Sequence, residues 1–118
     1  MNKYAFYGKF KAQKGQREEL ISILLQAAKL VSIAKGCHHY IIYRDAKDED
    51  NVFVTEIWDT KEDHDNSLKI EGCMELISAA MPLIDGKPEL LSTFQYIYKA
   101  LGIVSNEEDE FRKVPLVL

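Results

Sequence analysis

Only two cysteines occur in the 118 residues, Cys37 and Cys73, and nothing around them resembles a disulfide framework. No CxxC pair exists for a metal or redox centre, so two reduced thiols in a cytoplasmic protein are expected. Long apolar runs are missing too: none reaches the ~18 residues of a membrane span. The first nine residues carry one lysine and no continuous apolar segment, and do not read as a secretory signal. Basic charge is scarce, with 15 Lys and Arg against 19 Asp and Glu and a net charge of −4. No Lys/Arg stripe appears, which argues against a nucleic-acid partner. Glycine-rich phosphate loops and GxSxG elbows are absent, and the length excludes TIM barrels, kinases and two-domain dinucleotide enzymes.

What remains is an ordinary globular composition, 47% apolar and 29% charged, sized for one domain with one core. Residues 3–11 alternate: Tyr4, Phe6, Gly8 and Phe10 share one face, and Ala5, Tyr7, Lys9 and Lys11 the other, which predicts a strand. Gly8 inside it marks a bulge or a close backbone approach. Over 16–34 the stripe Leu20, Ile23, Leu24, Ala27, Leu30, Val31 and Ala34 predicts an amphipathic helix, with Gly36 placed for its left-handed C-terminal position. Residues 37–44 and 52–58 predict two strands of a hairpin around a charged turn. Asp59 or Thr60 then caps a helix running to about Lys69, and a second stretch covers Cys73 to Met81. Pro82, Gly86 and Pro88 end the helical region before a fourth strand, Leu90 to Lys99.

This order, β-α-β-β-α-α-β, predicts an α+β, ferredoxin-like split βαβ domain over 1–99 with a four-stranded antiparallel sheet. Both helical regions fall on one side of the sheet. The other side stays bare although the strands carry apolar and aromatic residues on both faces. Such a face points to a sheet-to-sheet homodimer. Residues 100–118 form a separate tail with an acidic run and an apolar end, Val114 to Leu118, expected to dock, on a partner subunit for instance.

Candidate chemistry is sparse. Adjacent His38 and His39 point to opposite faces of their strand, whereas Cys37 and His39 share one, offering two metal ligands where a closed zinc site needs four. No metal site is expected. Glu56 is a charge in an apolar strand and shares its face with Trp58. It suits either a pocket for an aromatic ligand or a lysine-paired position at a sheet edge. His64 lies one turn into the following helix, where it either overhangs that strand end or sits on the helix surface. A histidine there can exchange a proton near neutral pH.

The stretch Glu56-Ile57-Trp58-Asp59-Thr60-Lys61-Glu62-Asp63-His64-Asp65-Asn66-Ser67-Leu68 resembles the signature of antibiotic biosynthesis monooxygenase (ABM) domains, in the quinol-monooxygenase-like branch. Tyr40, the Gly36-Cys37 junction and Ala79 to Ile84 fit the same pattern, which spans about residues 3–99. The resemblance implies a dimeric α+β barrel that oxygenates phenols, quinols or anthrones with O2, without metal or flavin. It implies His64 as base, Trp58 as stacking wall and Glu56 as the partner of the histidine. Tyr40, Asn66 and Ser67 would then contact the substrate. Val54 stands where the polyketide-tailoring branch uses Asn, and residues 45–111 contain no Arg, so a small quinol-like substrate fits better than an anthrone. Haem-degrading relatives have an Asn in the first strand and a wider Trp–His spacing. Here only Asn2 precedes the strand and His64 follows Trp58 by six, leaving a haem-binding role as an alternative, beside a non-catalytic small-molecule-binding dimer.

Overall fold

The computed structural model describes residues 3–96. Eight elements follow one another: β1 (Lys3–Lys11), α1 (Arg17–Val31), β2 (Cys37–Arg44), β3 (Asn51–Trp58), α2 (Lys61–Ser67), α3 (Cys73–Ala80), a short 3-10 turn (Met81–Leu83) and β4 (Glu89–Tyr96). The strands form one antiparallel sheet in the order β2-β3-β1-β4. β3 lies between β1 and β2, the split βαβ arrangement expected of the element order. The end of the expected fourth strand and the 100–118 tail lie outside the described residues.

The alternation in β3 sets up everything else. Val52, Val54, Glu56 and Trp58 are buried under the helices, while Phe53, Thr55 and Ile57 face the open side. Leu20, Ile21 and Leu24 of α1 meet Val52, Val54, Ala80 and Ile84 in the core. Apolar burial of this kind is the dominant favourable contribution to folding. The open side keeps apolar groups at its surface, with Ile41 and Tyr43 exposed and Tyr7 stacked on Phe53 at 5.4 Å.

Two local expectations need correction. α1 stops at Val31, where the Ser32 hydroxyl donates back to the carbonyl of Lys29. Gly36 is left-handed (φ +83), but it serves the turn into β2 rather than the helix end. The second correction concerns β2, where a bulge shifts the register so that Cys37 pairs with Trp58 and His39 with Ile57. The inserted residue reverses the alternation. Cys37 therefore lies on the helix-covered face and His39 on the open one, bonded to the Thr55 hydroxyl, and they do not share a face. The irregularity expected at Gly8 is present as a register shift between β1 and β4.

Candidate active site

The site is organised by the β3–α2 junction. β3 ends at Trp58, and the Asp59 N–H donates to the Gly36 carbonyl at 2.8 Å. Thr60 caps α2 by accepting from the Asp63 N–H at 3.0 Å, a bond worth about 1 kcal/mol in typical helices. Asp63 is buried and packs against the turn at Gly36. These contacts place His64, one turn into α2, over the end of the sheet. The Ser67 hydroxyl donates to the His64 carbonyl at 2.6 Å and closes the short helix.

The imidazole packs among aromatic rings. Its centroid lies 5.0 Å from Phe6 and 5.8 Å from Trp58, both near-perpendicular, and 5.9 Å from Tyr4. Edge-to-face contacts of this kind fix a ring's orientation. Nδ1 lies 2.9 Å from a carboxylate oxygen of Asp65. Hydrogen bonds from Lys61 and then His64 hold Asp65 below the usual carboxylate range, so Asp65 accepts and Nδ1 carries the hydrogen. In the neutral ring the lone pair is then on Nε2, which lies 3.9 Å from Glu56 Oε1.

Glu56 is 7% exposed. The Trp58 Nε1–H donates to its Oε1 at 2.9 Å. Burial raises the Glu56 pKa to about 7, and the indole bond offsets part of that rise. Among the described residues no Lys or Arg forms an ion pair with it, so the lysine-paired alternative is not realised. Its neighbour across the ladder, Tyr40, has a phenol pushed above its ordinary value, mainly by burial and then by the Glu56 charge.

Glu56, His64, Tyr40 and Ser67 all line one cavity of about 440 Å³ between sheet and helices. That volume is in the range of small-molecule sites. The remaining wall is mostly aliphatic and aromatic, including Phe6, Phe10, Ile23, Leu76 and Ile77. Two expected site residues do not reach it. Trp58 has no accessible surface, so it cannot be a stacking wall; it lies behind Glu56 and holds its carboxyl. Asn66 turns to a separate depression beside Lys35, Thr60 and Glu62. Asp65 and Phe6 were not singled out from sequence. Asp65 adjoins His64 in the signature stretch, and Phe6 shares a face of the first strand with Tyr4 and Gly8, but only the packing brings each to the imidazole. Among the described residues no cluster of three or more His, Cys, Asp or Glu could hold a metal, and no helix is long and apolar enough to cross a membrane.

Known proteins frame this geometry. Residues 4–75 match the family model described as antibiotic biosynthesis monooxygenase. No curated protein matches the chain. Among solved structures, a protein of Chloroflexus aurantiacus assigned to the antibiotic biosynthesis monooxygenases is 35% identical, over 80% of this chain and 90% of its own, with a TM-score of 0.68. A variant of SnoaB, a cofactor-independent oxygenase from Streptomyces nogalater, is 15% identical over 86% of this chain and 100% of its own, with a TM-score of 0.72. A protein of Nitrosomonas europaea reaches a TM-score of 0.75 at 9% identity, over 80% of this chain and 90% of its own. The last two likenesses speak for the fold alone. The extent of the family match and the identity to the Chloroflexus protein establish that this chain belongs to the antibiotic biosynthesis monooxygenase family.

Proposed function

We propose that the chain is a cofactor-independent monooxygenase that oxidises a small phenol or quinol with O2. The observation that carries this reading is the Glu56–His64 pair at one end of an apolar cavity. A substrate hydroxyl at ordinary hydrogen-bond length from both Nε2 and Oε1 would meet them at roughly a right angle. His64 Nε2 takes the hydroxyl proton, while Asp65 holds the opposite ring nitrogen. Ionised Glu56 stabilises the imidazolium that forms, and Trp58 positions Glu56. Tyr40 and Ser67 contact the bound substrate.

The chemistry then belongs to the substrate anion. It passes one electron to O2, and the resulting superoxide and ring radical join through a new C–O bond. The peroxide takes up a proton, its O–O bond breaks, and water leaves as a ring carbonyl forms. A quinol and O2 thus give a hydroxyquinone and water. All four electrons accepted by O2 come from the ring, so the balance closes without another reductant. The largely apolar wall around the Glu56–His64 end limits the access of bulk water to the radical pair.

The family relationship and the exposed Ile41 and Tyr43 support a sheet-to-sheet homodimer that closes the open face into a barrel. Sedimentation equilibrium tests it; a monomer at tens of micromolar contradicts it. Oxygen uptake with a panel of reduced quinones tests the catalytic reading. Turnover should fall by about 100-fold or more in His64→Ala, the usual scale of a general base. No uptake with any member, or full activity in His64→Ala, overturns the mechanism. A retained ligand that native mass spectrometry finds unchanged would instead support a binding role.

A further inference from the structure

Glu56, His64 and Tyr40 gather at the β3–α2 end of the cavity, while the charged Lys9 and Glu89, paired across β1 and β4, line it beside Gly8 and Leu90. Glu56, Tyr40 and Phe6 share one level of the sheet, because Phe6 pairs with Glu56 and Glu56 with Tyr40. From that level the wall continues through Gly8 and Val54 to Phe10 and Ile84. Four residues of strand carry it ~13 Å from Phe6 to Phe10. The facing helices add Ile23, Leu24 and Ala27 from α1 and Leu76, Ile77 and Ala80 from α3, none of them polar. At the rim two lining residues, Met81 and Leu90, remain 50% and 61% exposed. The Tyr40 hydroxyl makes no hydrogen bond among the described residues, although it is largely desolvated. A compact polar quinol would fill only the first part of this space.

We propose that the cavity takes a phenol or quinol bearing an apolar chain, with the ring hydroxyl among Glu56, His64 and Tyr40 and the chain laid along the aliphatic wall toward Met81 and Leu90. This rests on the catalytic reading above for the place of the hydroxyl and adds the class of substituent. Tyr40 donates its O–H to the ring oxygen, an anion once His64 has taken the proton. The raised phenol pKa keeps Tyr40 a donor at neutral and alkaline pH. The exposed side chains of Met81 and Leu90 let a chain longer than the wall extend outward over apolar surface.

Binding can be read without turnover. Anaerobic calorimetric titration of the full chain with 4-alkylphenols, from ethyl to heptyl, should show affinity rising about two- to fourfold per methylene. In Ala27→Phe, verified as folded by its denaturation curve, the rise should stop at a shorter chain. In Tyr40→Phe every member should weaken by a similar factor, about two- to tenfold. A series flat in chain length overturns the proposal, as does an undiminished long-chain gain in Ala27→Phe. Turnover of short quinols with a flat binding series would sink this proposal and leave the catalytic reading standing. A rising series without oxygen uptake would sink the catalytic reading and uphold this one.

Discussion

Replacing Glu56 by Gln should make the protein more stable above neutral pH, by an amount that the structure sets. Burial raises the Glu56 pKa to about 7 from an ordinary value of 4.5. The folded state therefore binds this proton more tightly than the unfolded chain does. Glu56 contributes stability that is fully present below about pH 4.5 and is lost as pH rises through about 7. At about 1.4 kcal/mol per pH unit, the gap corresponds to about 3 kcal/mol. Gln is nearly isosteric, keeps an acceptor for the Trp58 indole and does not titrate. The other titrating groups are common to both proteins, so the difference between their stability curves isolates Glu56. Urea unfolding at matched protein concentration, at pH 5 and pH 8, supplies that difference. E56Q should gain about 2.5 kcal/mol relative to the parent between the two pH values, because pH 5 lies just above the unfolded value; the relative midpoint shift is about 1–2.5 M urea. Parallel curves would refute the placement of a desolvated, titrating carboxyl in the cavity wall. Activity should move the opposite way, because Gln cannot stabilise the imidazolium.

Trp58→Phe removes the indole N–H that favours ionised Glu56. The Glu56 titration, followed by carbon NMR of its carboxyl, should move alkaline by about one to two pH units, the equivalent of a lost hydrogen bond to a charged group. An unchanged titration would remove Trp58 from the site. Gly36→Ala forces a side chain into a left-handed position (φ +83) where its Cβ would collide with Asp63. It should cost more than about 1 kcal/mol in denaturant melts and lower turnover, because Asp63 anchors the helix that carries His64. Wild-type stability with wild-type turnover would show that this turn does not position α2.

Much of the fold was legible because local rules and packing agree. The β1 alternation, the hairpin of β2 and β3 and the Thr60 cap each rest on neighbours within a few residues, and all three stand as read. Legibility failed where a single residue changes parity or direction. The β2 bulge moved His39 away from Cys37, because one inserted residue reverses every later side chain. The end of α1 escaped because the apolar stripe continues to Ala34, while the Ser32 hydroxyl bonds back to the helix and the chain turns.

The site divides in the same way. The sequence alone determined that Glu56 and Trp58 share a face, since residues two apart in a strand must. It also determined that His64 begins the helix after that strand. It left open whether Glu56 is paired with a lysine, whether the imidazole faces inward and whether the indole is reachable by a ligand. Those answers depend on which distant atoms fill the space around each group. Phe6 from β1 turns the imidazole over the sheet, and the helices that cover β3 remove water from Glu56 while leaving His64 as its only ion-pair partner among the described residues. Desolvation and electrostatic pairing are sums over the whole surrounding structure, so only the tertiary fold could turn an acidic residue in a strand into a carboxyl that titrates near neutrality.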